Sequence, residues 1–396
     1  VYNFVDDKPQ LAGVPGPILP EINLKYFASA HSSFDAGRGC PFKCSFCTII
    51  NIQGNTMRGR VADDIEKLVR ANLKHGIDHI FITDDNFARH PAWESIADRL
   101  IELREKEGLE IYVMIQTDVL ADRIPRFIEK MARAGCRRVF IGLESVNPDN
   151  LLATGKRQNR ISEYRKMLQA WRAQGILTYA GYIIGFPGDT YESIMRDVEY
   201  LKRELPLDFA EFFMLTPLPG SKDHQRYYLE KTPMDTDMNR YDTAHVCMDH
   251  PRMSRAELER AYRDAWRSFY SKEHMFTLLR RRREVGGASR VAISLIWFTS
   301  CVFLEGIHPL LGGLLRFKGR KNRRPGFKRE GVLPYYSRRT VELFVKLFTL
   351  ARIALSIHQL RRKAKRPEYA NYTDAAITPE PTIKERNSSF EHMSVV

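Results

Sequence analysis

The feature that most constrains the fold of this chain is a rhythm. Between about residues 32 and 220, runs of β-branched and aromatic residues alternate with amphipathic stretches at steps of roughly 30–40 residues. The runs predict strands near residues 33–37, 79–83, 111–116, 138–143, 178–185 and 210–215. Helical periodicity predicts helices near 62–75, 92–107, 124–134, 162–174 and 191–204. Several of these helices meet a glycine at the expected stop (Gly76, Gly108, Gly135, Gly175). The pattern implies an α/β fold, a parallel (β/α)6 partial TIM-type barrel, with an open doubly wound sheet as the alternative.

Each expected strand ends in unusual chemistry. Cys40, Cys44 and Cys47 follow the first, and Asp84-Asp85-Asn86 follow the second. Gln116 and Asp118 close the third, Glu144-Ser145 the fourth, Gly185-Phe186-Pro187-Gly188 the fifth and the 217–221 run Pro-Leu-Pro-Gly-Ser the sixth. In a β/α barrel such ends converge on one face, where active sites are built. Helix capping accounts for any single acidic turn, Asp84, Asp85 or Asp189 included, but not for the whole set.

The cysteines lie in the run Arg-Gly-Cys-Pro-Phe-Lys-Cys-Ser-Phe-Cys, spaced C-x3-C-x2-C, and the next cysteine is Cys136. A structural zinc site takes four protein ligands and an electron-transfer cluster four thiolates. Three close thiolates can instead hold three irons of a cubane and leave the fourth open to a small molecule. A zinc knuckle completed by His31 or another distant histidine is the competing reading.

This spacing, with Phe46 just before the last cysteine, resembles the signature of the radical S-adenosylmethionine (SAM) enzymes. The resemblance extends over about residues 32–220. It implies a 4Fe–4S cluster on Cys40, Cys44 and Cys47 that donates one electron to SAM, giving methionine and a 5′-deoxyadenosyl radical. By the same resemblance Phe46 lies at the adenine, and Gly181, Ile183 and Gly185 match a G-x-I-x-G strand whose backbone approaches it. Packing or a bulge is the other reason for glycine there. Glu144 matches a polar contact to the ribose or amino-acid part of SAM, unless a neighbouring charge simply holds it. Where the family often has Gly-Gly-Glu for the ammonium group, this chain has Asp84 and Asp85. The 81–87 run Phe-Ile-Thr-Asp-Asp-Asn-Phe and the 217–221 run resemble the subgroup with a cobalamin-binding domain ahead of the barrel. No D-x-H-x-x-G motif occurs in this sequence, so cobalamin is an expectation for a longer protein only. The resemblance further implies an electron donor such as flavodoxin or ferredoxin, and a small or lipid-like substrate that is methylated or rearranged. An iron–sulfur redox sensor without turnover and a zinc-stabilised scaffold remain as alternatives.

The chain starts at Val1 with no signal-like segment and reads as part of a longer cytoplasmic protein. Its six cysteines make no disulfide framework. Residues 1–253 carry 33 Lys+Arg against 35 Asp+Glu, and residues 254–396 carry 29 against 13, so the whole excess of +14 is C-terminal. The expected domains are an extended arm (1–31), the barrel (32–253), a basic helical region (254–366) and a disordered tail (367–396). Residues 291–304 are an uncharged apolar run too short to span a bilayer. Within 341–360 the polar residues Glu342, Lys346, Thr349, Arg352, Ser356 and Gln359 form one narrow stripe on an apolar helix. Apolar faces beside Lys/Arg clusters suit an anionic membrane, peripheral on its inner face; a cap packed on the barrel is the equal alternative, and nucleic acid ranks last. Tyr179, His245, Cys247 and His250 carry no assigned role.

Overall fold

The computed structural model describes residues 8–16, 31–312, 319–322 and 326–378. Six strands, β1 His31–Phe34, β2 His79–Ile82, β3 Tyr112–Thr117, β4 Cys136–Glu144, β5 Leu177–Ile184 and β6 Phe209–Met214, make one parallel sheet in sequential order. The connecting helices are α1 Ala62–Lys74, α2 Trp93–Glu105, α3 Phe127–Arg133, α4 Ile161–Ala173 and α5 Tyr191–Glu204. A doubly wound sheet would need a reversal of strand order, and there is none. With right-handed crossovers, sequential order stacks all these helices on one face and leaves the other face for the site.

Local chemistry explains most boundaries. Thr190 and Ser193 cap α5 reciprocally, each side chain accepting from the other's backbone N–H. Gly76 (φ +71°) and Gly175 (φ +69°) take the left-handed turn that stops α1 and α4. Two boundaries differ from expectation. Helix α3 starts later than residue 124 because Ala121–Arg123 forms a separate 3-10 turn and Arg126 has φ +59°. Strand β1 ends at Phe34, and Gly37–Arg38 pairs antiparallel with Arg58–Gly59 instead. The buried Asp84 carboxylate explains this: its Oδ1 accepts the N–H groups of Ala36 and Gly37, both at 2.7 Å, and draws the chain away from the sheet.

The chain divides into two compact units. One ends at Ala261 and resumes at Thr373, and the other is Tyr262–Tyr372. The division falls inside helix α7 (Arg255–Phe269), which follows α6 (Lys222–Leu229), and not after residue 253 as expected. Part of the expected arm is packed: Leu11 is buried and Gly13 N–H donates to Asp64 Oδ2 at 2.9 Å. Residues 1–7 and 17–30 lie outside the described residues. The expected disordered tail is ordered as far as Thr378, because Asp374 turns the chain and Gln169 Nε2 binds the carbonyls of Ala376 (3.1 Å) and Thr378 (3.0 Å). Residues 379–396 lie outside the described residues.

The second unit is helical: the end of α7, α8 (Lys272–Arg281), α9 (Ala288–Thr299) and α10 (Val332–Ala364). Trp266 anchors its core among Tyr270, Phe298 and His308, with ring centroids 5.6, 6.4 and 5.5 Å away. A π-helical turn, Ser300–Glu305, extends α9. The apolar run is therefore longer than its sequence suggested. Among the described residues Ala288–Glu305 is long and apolar enough to cross a membrane, with 44% of it buried inside the protein.

Candidate active site

The three cysteines lie on the loop that follows β1 and its diversion at Gly37. Cys40 N–H donates to Gly54 O at 3.2 Å, and Cys47 N–H donates to Cys44 O at 3.2 Å, which closes a tight turn. Ser45 ties the loop to the segments that follow β4 and β6: its N–H donates to Thr154 O (3.0 Å) and its hydroxyl to Asp223 Oδ2 (3.0 Å), on α6. None of the thiols is in a disulfide. Burial raises the pKa of each, that of Cys47 to about 11; the Cys44 thiol further raises those of Cys40 and Cys47, and Cys40 raises that of Cys47. The short C-x3-C-x2-C spacing and the turn from Cys44 to Cys47 keep the three on one stretch of loop.

The end of β4 supplies the charges beside them. Glu144 has φ +63°, a left-handed backbone that is rare for a side chain of this size, and the sheet register slips there. Its Oε1 pairs with Lys156 Nζ, and both side chains are largely buried. Burial opposes the charge on Lys156, but Glu144 and the thiols of Cys44 and Cys47 outweigh it and hold the lysine pKa above its ordinary value. The ammonium also lies 5.9 Å from the centroid of Phe46. Gln158 Nε2 reaches within 4.0 Å of Cys44 Sγ. Asn159 Nδ2 holds the carbonyls of Gly142 (3.1 Å) and Leu143 (2.9 Å). The segment Thr154 to Asn159 thus buttresses both the cysteine loop and Glu144, and sequence reasoning passed over it. A lysine and two amides beside one glycine between helical stretches were the available signal.

Asp84 and Asp85 divide their work. Asp84 is fully buried, and burial lifts its carboxyl to about 7 while Oδ1 clamps the start of the cysteine loop. Its Oδ2 is buried with no hydrogen-bond partner. Asp85 is part-exposed, with Oδ2 3.4 Å from Gly39 N–H. Asn86 donates to Asp118 Oδ2 at 2.8 Å, and Arg89 grips the same carboxylate at 2.7 and 2.8 Å. Asp84 is therefore a clamp on the loop.

The glycine strand reads differently in three dimensions. A Cβ on Gly181 would stand 2.8 Å from Phe140 Cζ, so close packing requires that glycine. Gly185 has φ +99°, and Asp189 Oδ2 accepts its N–H (3.0 Å) and that of Phe186 (2.9 Å). Ile183 is buried on the same face as Gly181. Tyr182 points the other way, its hydroxyl 2.6 Å from Asp197 on α5, so Gly181 faces away from the helices. Register then places Gly142, Gly181 and Glu211 in one row across three strands on that face. Glu211 is 2% exposed, its Oε2 has no partner, and burial alone pushes its carboxyl to about 8. Phe140 and Phe213, ring centroids 6.4 Å apart, close over Gly181, the neighbour of Glu211 in that row. Neutral in this setting, Glu211 can donate as well as accept a hydrogen bond.

The donor set fits a cluster and not a single ion. Among the described residues no three of His, Cys, Asp and Glu converge as one metal would require. In a cubane each thiolate takes a different iron, so the sulfurs need only be neighbours. His31 does not complete the zinc reading, because it opens β1 at the strand's far end, its ring 4.7 Å from that of His79. Cys136 and Cys247 are buried with their thiols near backbone oxygens, Arg138 O (3.3 Å) and Arg240 O (3.1 Å), away from the loop.

Residues 35–201 match the family model of the radical SAM superfamily. The chain carries a radical SAM domain. An uncharacterized methyltransferase of Pyrococcus horikoshii is 28% identical over 244 residues, 59% of this chain and 50% of that protein. The bacteriochlorophyllide d C-12(1)-methyltransferase of Chlorobaculum tepidum is 28% identical over 233 residues, 56% of this chain and 48% of that one. The cobalamin-dependent radical SAM methyltransferase TokK of Streptomyces tokunonensis is 28% identical over 205 residues, 47% and 28% of the two chains. The chain spans about half the length of the first two relatives. Radical SAM proteins use a 4Fe–4S cluster and SAM, and methyltransferases are among this chain's relatives.

Proposed function

We propose that this chain is the radical SAM part of a methyltransferase-type enzyme acting on an unactivated carbon of a small or lipid-like substrate. The observation that carries it is three thiols on one loop, none in a disulfide, with no fourth metal-binding side chain grouped with them among the described residues, inside the stretch that matches the radical SAM model. Cys40, Cys44 and Cys47 would hold the cluster. When bound, cluster and SAM would supply one-electron reductive cleavage and, from it, hydrogen abstraction from the substrate.

The chain's own residues position and insulate this chemistry. Asp84 fixes the entry to the cysteine loop, and Lys156 holds Glu144 against Gly142 beside the thiols. The Glu144–Lys156 pair offers an acceptor and a cation for the amino-acid part of SAM, while Phe46, Ile183 and Gly185 border its adenine. Asp85, the more accessible of the two aspartates, is the acceptor for the ammonium group. Substrate would lie over the helix-free face of the sheet, where Glu211 waits without a partner. Six free thiols among the described residues suit a reducing, cytoplasmic setting with a flavodoxin- or ferredoxin-type donor. Cobalamin belongs to this reading for the longer protein, on the strength of the relative named as cobalamin-dependent.

One anaerobic experiment tests it. After reconstitution with iron and sulfide, the reduced protein should convert SAM to 5′-deoxyadenosine, and Cys44→Ala should lose both cluster absorbance and cleavage. Full cleavage by Cys44→Ala would sink the assignment. A stable cluster without cleavage would make the protein a sensor, and zinc alone would make it a scaffold.

A further inference from the structure

A helix folded in water turns its polar residues to solvent and its apolar residues to the core. α10 does the reverse over residues 333–355. Its stripe of charges faces inward: Lys346 Nζ lies 2.8 Å from Glu305 Oε2 and 2.9 Å from Glu342 Oε1, and Arg339 pairs with Glu342. The Glu305 side chain is only 1% exposed. Facing outward are Leu333 (80% exposed), Phe344 (69%), Phe348 (66%), Val341 (64%), Leu355 (61%) and Tyr336 (56%). At about 100° per residue these fall on one arc, and at about 1.5 Å per residue the arc runs for roughly 33 Å. Rotating the helix about its own axis would bury this arc, but the salt bridges to Glu305 and the seat of Tyr335 and Ile357 in the core hold it outward.

Ionic residues border the arc. Arg338 and Arg352 are exposed on its flank, and Arg362, Lys363, Lys365 and Arg366 are exposed beyond its end. Residues 254–396 carry a net +16, from 29 Lys+Arg against 13 Asp+Glu. A second copy of the chain seated on this arc would bring like charges together. An anionic bilayer meets both features at once, with acyl chains for the arc and headgroups for the cations. The apolar segment Ala288–Glu305 of the same unit adds exposed Ile293 and Phe303.

We propose that the outward face of α10 docks in the plane of an anionic lipid bilayer, with Phe344 and Phe348 as its anchors. The inward ion pairs are what keep that face turned out. The surface uses no residue of the radical SAM site, so it is tested apart from catalysis. If a lipid-like substrate is the right reading, docking also brings the barrel to its substrate's phase.

The test is flotation of the full chain with vesicles of phosphatidylcholine alone and of phosphatidylcholine with phosphatidylglycerol. Binding should need the anionic lipid, weaken with salt, and fall by about tenfold or more in Phe344→Glu/Phe348→Glu. Both rings are exposed without lipid, so the thermal unfolding of that variant should match the parent's. Three results would overturn the proposal. One is a parent chain that phosphatidylglycerol vesicles leave unbound. The double variant could float as well as the parent, which would leave charge alone as the cause. Sedimentation could reveal a dimer that the double variant dissolves, making the face an interface between copies.

Discussion

Replacing Glu211 by glutamine keeps the side chain's shape and removes its titratable proton. In the folded chain this carboxyl titrates at about 8 in place of 4.5, and burial is the only cause. The difference is three to four pH units; at about 1.4 kcal/mol each it amounts to roughly 4–5 kcal/mol as an upper bound. The folded-state pKa is raised, so the group's contribution to stability is whole below pH 4.5, the ordinary value, and shrinks as pH rises to about 8. Above that the folded chain carries a buried charge whose Oε2 has no hydrogen-bond partner. Glutamine has no such dependence, so Glu211→Gln should gain on the parent protein by a few kcal/mol across this window. Urea unfolding of both proteins at a series of pH values measures it, and other titrating groups cancel in the difference. A difference that stays flat across the window would mean that Glu211 ionises normally in the fold. The picture of a neutral acid on the helix-free face would then be wrong.

Two further substitutions probe the charges beside the cysteine loop. A Cβ on Gly142 would stand 2.5 Å from Glu144 Oε1 and 2.9 Å from Lys156 Nζ. Gly142→Ala should therefore displace the pair and weaken SAM binding about tenfold or more, as read by calorimetry on the reconstituted protein; unchanged affinity would separate the pair from SAM. Lys156→Met leaves Glu144 buried without a counter-charge and should cost about 3 kcal/mol in a thermal or urea melt. Adding Glu144→Gln should restore most of that loss, and a double variant as unstable as the single one would show that the pairing is not the cause.

Legibility in the sequence followed the range of the interaction involved. Helix α5 occupies its expected 191–204 span because Thr190 and Ser193 cap it within four residues. Strand β1 was misplaced because the residue that diverts it, Asp84, lies 48 positions from Ala36. Gly181 was legible as an exceptional residue, but its reason was not: Phe140, on the neighbouring strand, fills the space where a side chain would go. Likewise Glu144 stood out alone, and its partner Lys156 comes from a segment with no periodicity to mark it.

By itself, the sequence determined the order of elements, the parallel sheet and the loop that gathers Cys40, Cys44 and Cys47. The elements and the loop rest on spacings of two to seven residues, which backbone geometry converts directly into faces and turns, and the sheet on their alternation along the chain. Tertiary structure alone decided which charges meet and which stand alone. It joined Lys156 to Glu144, left Glu211 Oε2 buried without a partner next to Gly181, and turned the polar stripe of α10 inward onto Glu305. A helical stripe states that two faces differ; only the partner across the packing says which one meets the solvent.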